Sequence, residues 1–87
     1  MTARSALCAF VLIGFCQPSF AANPEYCHRY ASKAVRAHLN NIHYHCGFTG
    51  RRWSTDYRDH FGWCAQAPRE AADQEESVRR LLLRDCR

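Results

Sequence analysis

The sequence predicts an all-α fold: three helices in one small domain, held by two disulfides and preceded by a cleavable signal peptide. Three observations carry this. Apolar residues recur at three- and four-residue steps in three separate stretches. Helix-start residues stand at the head of each stretch. Four of the six cysteines lie outside the apolar N-terminal segment, at spacings too wide for a metal knuckle.

The first 21 residues read as a secretory signal. Arg4 supplies a positive n-region, and residues 6–15 form an apolar run of about ten, half of the ~20 a membrane span needs. Pro18 interrupts any helix there. Ser19 and Ala21 are the small −3 and −1 residues that signal peptidase requires, so cleavage is expected after Ala21. Phe15 before Cys16 is too large for a lipidation site. No second apolar run follows, so no transmembrane segment is expected after cleavage. The mature domain is then 22–87. It keeps Cys27, Cys46, Cys64 and Cys86, and its formal charge falls from +4 to +3 because Arg4 is lost. The expected location is exported, either periplasmic or secreted, where an even number of cysteines forms disulfides.

The first helix opens at Asn23-Pro24-Glu25: an N-cap, a proline at the first helical position and an acid at the positive dipole end. Its expected apolar face is Cys27, Tyr30, Ala31, Ala34, Val35, His38, Leu39 and Ile42. It is expected to end near Asn40-Asn41. Cys46-Gly47-Phe48-Thr49-Gly50 follows as a turn-rich loop. A second, short helix is expected from Ser54 as N-cap, with Asp56 in its first turn and Gly62 weakening its middle by about 1 kcal/mol. Pro68 opens the third helix. Its acids come early (Glu70, Asp73, Glu75, Glu76) and its arginines late (Arg79, Arg80, Arg84), matching the helix dipole. Its expected inner face is Ala71, Val78, Leu82 and Cys86, with Leu81 beside it.

Helix geometry selects one of the three possible pairings. At ~1.5 Å per residue, Cys27–Cys46 and Cys64–Cys86 would each have to bridge roughly 22–30 Å, whereas a disulfide needs Cα atoms within ~7 Å. If the second helix descends beside the first and the third ascends, Cys64 returns to Cys27 and Cys86 arrives at Cys46. The expected disulfides are Cys27–Cys64 and Cys46–Cys86, each worth nominally ~3–4 kcal/mol by the chain-entropy argument. A core this small depends on such staples.

Tyr26-Cys27, Tyr30-Ala31, Ala34-Val35, Cys46-Gly47-Phe48-Thr49-Gly50, Arg52-Trp53, His60 and Trp63-Cys64 form a spaced pattern. It resembles a group of small exported four-cysteine proteins of alphaproteobacteria and their relatives, and spans residues 26–64. The resemblance implies an exported bacterial domain and brings no activity with it. The chain departs from that pattern at Arg51, where the group more often has proline, and over residues 36–45, where the group is rich in glutamine.

Three clusters could carry chemistry. Arg51-Arg52-Trp53 pairs guanidinium groups with an aromatic plane, a combination suited to an anionic or sugar-bearing polymer or an acidic protein of the cell envelope. Set against this, a domain of about 66 residues needs Trp53 and Trp63 for its core. His60 lies four residues after Asp56, the spacing of a general base with its orienting carboxylate, and Asp59 is a second candidate partner. His43 and His45, near His38, are candidate ligands for a divalent cation. No nearby carboxylate completes that set. No motif implies a cofactor. The mixed charge of the third helix does not read as a nucleic-acid surface, and no serine or free cysteine reads as a nucleophile.

The sequence therefore points to an exported, non-enzymatic module that binds an envelope or extracellular partner through an Arg/aromatic surface. A small hydrolase centred on His60, or an inhibitor of an envelope enzyme, is the alternative. Divalent-metal binding through histidine is a second.

Overall fold

The computed structural model describes residues 23–87; the expected signal peptide, 1–21, lies outside them. Three helices follow in order: α1 (Pro24–His43), α2 (Tyr57–Gln66) and α3 (Arg69–Cys86). The fold is all-α, and both disulfides have the expected partners. Cys27 and Cys64 have Cα atoms 5.6 Å apart, Cys46 and Cys86 5.8 Å.

α1 is the spine, and both other helices pack on it. Asn23 caps it by accepting from the Tyr26 amide at 2.7 Å, and Pro24 sits where no amide donor is needed. α3 ascends beside α1. Tyr26 hydroxyl donates to the Asp73 carboxylate near the base, Lys33 pairs with Glu76 at 2.9 Å, and Cys46 meets Cys86 at the top. α2 lies across the first half of α1, with Cys64 beside Cys27 and His60 and Trp63 beside Tyr30. Tyr26, Cys27, Tyr30, Cys64 and Ala72 form the core, with Phe61 packed against it.

Five local expectations are corrected. α1 runs past Asn40-Asn41 to His43. Its upper face is rotated, so that Asn41 is 3% exposed while Leu39 and Ile42 face solvent. The reason is the loop that follows. Asn41 Nδ2 donates to the Phe48 carbonyl at 2.8 Å and the Phe48 amide donates to Asn41 Oδ1 at 3.0 Å. The side chain thus acts as a peptide group for a loop that has no strand to pair with.

Asp56, not Ser54, caps α2, accepting from the Arg58 and Asp59 amides at 3.0 and 3.3 Å. Ser54 Oγ instead accepts from the Asp56 amide and tightens the turn before it. On α3 the buried residues are Ala72, Arg79 and Leu83, roughly one residue around the helix from the expected face. Cys86 is exposed despite its disulfide. Trp63, expected in the core, is exposed.

Candidate functional site

The 44–56 loop crosses back over the domain and leaves a cleft of about 470 Å³ against α1, α2 and α3. Each wall comes from a different element. The loop contributes Thr49, Gly50, Arg51, Arg52 and Trp53; α2 contributes Asp59, His60 and Trp63. Tyr30 comes from α1, and Glu75 and Arg79 from α3.

The loop is shaped by backbone that favours glycine and by an aromatic anchor. Gly50 has φ +104°, a conformation that L side chains rarely adopt. Three residues on, Trp53 turns inward, its amide donating to the Gly50 carbonyl at 2.9 Å, and its ring stacks on Phe48 with centroids 4.7 Å apart. Trp53 is 7% exposed, so it anchors the loop and shows only part of itself to the cleft. Of the expected Arg51-Arg52-Trp53 surface, Arg51 alone is fully exposed and makes no ion pair among the described residues.

Arg52 is committed. Its Nε and Nη2 fork onto the two oxygens of Glu75 at 2.8 and 3.0 Å, the bidentate geometry guanidinium suits best. Those hydrogen bonds hold the Glu75 carboxyl below its usual range, against the opposing effect of partial burial. The same contact raises Arg52.

Arg79 is the residue that sequence reasoning missed. It is 2% exposed. Its guanidinium lies over the Tyr30 ring, 4.9 Å from the centroid. Nη1 donates to the Arg52 carbonyl at 3.4 Å and stands 3.9 Å from Glu75 Oε1. Nη2 is buried with no hydrogen-bond partner. Burial raises the Tyr30 hydroxyl above its ordinary value, and the adjacent Arg79 pulls it back. The only advance signal is that Arg79 falls seven residues after Ala72 and four before Leu83, on one helical stripe with them.

Trp63 forms an open wall. It is 39% exposed and packs against Tyr30, with centroids 5.5 Å apart. Its exposed surface is an aromatic ledge beside the guanidinium groups, backed by a Tyr30 ring that is itself 3% exposed.

His60 does not meet Asp56. Its Nε2 donates to the Ser54 carbonyl at 2.9 Å, its ring stands edge-on to Tyr30 at 6.4 Å, and Asp56 is occupied as the α2 cap. His60 is 5% exposed and its role is to tie the loop to α2. A base with an orienting carboxylate is not formed here.

The other histidines are dispersed. His43 packs edge-on against Tyr44 at 4.7 Å, and His45 takes a left-handed φ of 56° in the turn. His38 Nδ1 accepts from Asn41 Nδ2 at 3.1 Å. Among the described residues, no group of three or more His, Cys, Asp or Glu is placed to hold a metal ion. No described helix is long and apolar enough to cross a membrane.

Compared with known proteins, the chain matches no family model, no curated protein and no solved structure. The functional reading therefore rests on the cleft itself.

Proposed function

We propose that the protein is an exported, non-enzymatic binding module, processed to 22–87, that engages an envelope or extracellular partner through the Arg51/Trp63 cleft. The partner is an anionic or sugar-bearing polymer or an acidic envelope protein. What carries the reading is one juxtaposition: the buried cation of Arg79, the uncommitted Arg51 and the exposed Trp63 all border the same cavity. A buried guanidinium nitrogen left without a partner calls for an explanation. Of the residues that carry the family resemblance, Thr49, Gly50, Arg52, Trp53, His60 and Trp63 border this cavity, whereas Arg51 departs from that pattern.

The test is retention of the oxidised protein on immobilised cell-envelope polymer and envelope-protein fractions. Retention should fall sharply in the Arg51→Ala/Trp63→Ala double variant, since both side chains lie at the surface and neither supports the core. Equal retention of variant and native protein would remove the cleft from the binding function. Export is checked separately: intact-mass measurement of the secreted product should give a chain beginning at Ala22.

A further inference from the structure

We infer that the ligand of this cleft is a singly charged carboxylate borne on a sugar ring, an acidic residue of a saccharide chain. The inference rests on the binding reading above and names the chemistry of the occupant.

The charge comes first. Arg51, Arg52 and Arg79 border the cleft against Asp59 and Glu75, an excess of one positive charge. Glu75 already has both oxygens forked by Arg52. The cations not forked to a carboxylate are Arg51 at the rim and Arg79 beneath it, the latter 2% exposed. A single carboxylate on Arg51 neutralises that excess. Phosphate monoester, with nearly two charges, would bring the surplus negative charge against Glu75 and Asp59.

The rest of the cleft suits a hydroxylated ring. Trp63, backed by the buried Tyr30, offers an apolar ledge for a ring face. Thr49 and the Asp59 carboxylate border the same space, a hydroxyl and an acceptor for the ring's own hydroxyls. The volume of about 470 Å³ lies within the ordinary range for small-ligand sites, about 300–1,000 Å³. A peptide is the poorer occupant. The commonest peptide grips are an exposed strand edge or an apolar helix-binding groove, and an acidic peptide on an arginine cluster is the competing occupant the test must exclude. The described residues form no strand, and the cleft is lined by charge as much as by aromatic surface.

The test is titration of the oxidised protein with trigalacturonate at low ionic strength, followed by calorimetry and by the NMR shift of the Trp63 indole. Binding should displace the Trp63 indole resonance. It should weaken by about tenfold or more on Arg51→Ala, the loss of one charge-assisted contact. Trp63→Ala, read by calorimetry, should weaken it too. Methyl-esterified trigalacturonate and neutral maltotriose should bind far more weakly. Both variants alter surface side chains, and unchanged circular dichroism confirms that they fold. The inference is overturned if the ester binds as well as the acid, if inorganic phosphate or acetyl-dialanine binds more tightly, if Arg51→Ala binds like the native protein, or if trigalacturonate does not bind at all. Should trigalacturonate fail while retention on envelope material stays sensitive to Arg51 and Trp63, the saccharide assignment falls and the binding module stands.

Discussion

Replacing Arg79 with methionine should leave the fold nearly as stable as before and abolish binding in the cleft. The magnitudes follow from the contacts. Arg79 gains a cation–π contact with Tyr30 at 4.9 Å, worth ~0.5–2 kcal/mol. Its hydrogen bond to the Arg52 carbonyl is 3.4 Å long and its approach to Glu75 is 3.9 Å; each is at the outer limit of its class and contributes about 0.5 kcal/mol or less. Against these stand ~1–3 kcal/mol for the buried, unpaired Nη2 and the further cost of dehydrating the charge. Methionine keeps the unbranched stem but stops short of the guanidinium carbon, and can place its sulfur against Tyr30, worth ~0.3–1.5 kcal/mol. Glu75 is not stranded, because Arg52 still holds both its oxygens. The net change should lie within about 1 kcal/mol of zero, against the ~3–5 kcal/mol normally lost when a buried ion pair is broken.

Urea denaturation with disulfides intact, followed by tryptophan fluorescence, measures this directly; an unchanged slope confirms that the unfolded state is not altered. A loss of more than about 3 kcal/mol would refute the reasoning, because Arg79 would then be a structural cation with its partners satisfied.

Asn41→Ala should cost ~2–4 kcal/mol, since it removes two hydrogen bonds to Phe48 and empties a position 3% exposed; accelerated exchange of the Phe48 amide and a lower denaturation midpoint would show it, and a cost under 0.5 kcal/mol would contradict the clamp. Under limiting thiol reductant Cys46–Cys86 should open before Cys27–Cys64, because Cys86 is exposed whereas Cys27 and Cys64 are both 0% exposed; differential alkylation with mass spectrometry gives the order, and the reverse order would contradict the burial argument. Burial and the hydrogen bond to Asp73 push the Tyr26 hydroxyl up to about 12. A neutral group whose pKa is raised on folding contributes stability in full below its unfolded value of ~10 and loses it as pH climbs toward 12. Phenolate absorbance should therefore show Tyr26 and Tyr30 titrating later than the exposed tyrosines, and Tyr26→Phe should flatten the alkaline fall in stability.

The helices and the disulfide pairing were legible because they depend on quantities that a sequence carries: the 3.6-residue period, the Asn23 and Pro24 start, and a rise per residue that makes Cys27–Cys46 too long. The cleft was only half legible. Arg79 was read only as a late charge matching the helix dipole, because its charge outweighs its stem in any polarity pattern, whereas in the fold its aliphatic stem is buried with Ala72 and Leu83 and its head rests on Tyr30. The His60–Asp56 pair had correct spacing but lost to backbone groups that no spacing reveals: the Ser54 carbonyl took the imidazole and the α2 amides took the carboxylate. Asn41 was read as a helix breaker for the same reason, since its partner is the backbone of Phe48 rather than a side chain. Trp63 was read as core on size alone; a ten-residue α2 anchored through Cys64 and His60 turns its neighbour at position 63 outward.

The placement of the two disulfides explains how so small a domain tolerates a charged, incompletely paired interior. Cys27 lies near the base of α1 and Cys46 just past its top, about 28 Å apart at helical rise. They close loops separated by 37 and 40 residues, each nominally worth ~4 kcal/mol, comparable with the whole stability of a domain this size at ~0.05–0.15 kcal/mol per residue. Each staple acts at one end of the bundle, and neither cysteine pair lines the cleft. Stability is thus secured outside the cleft, and the residues inside it are free to be chosen for charge and aromatic surface rather than for close packing. A domain of the same length without the staples would need the Arg79 position for an apolar side chain. With them, a buried guanidinium with one nitrogen left without a partner can be retained.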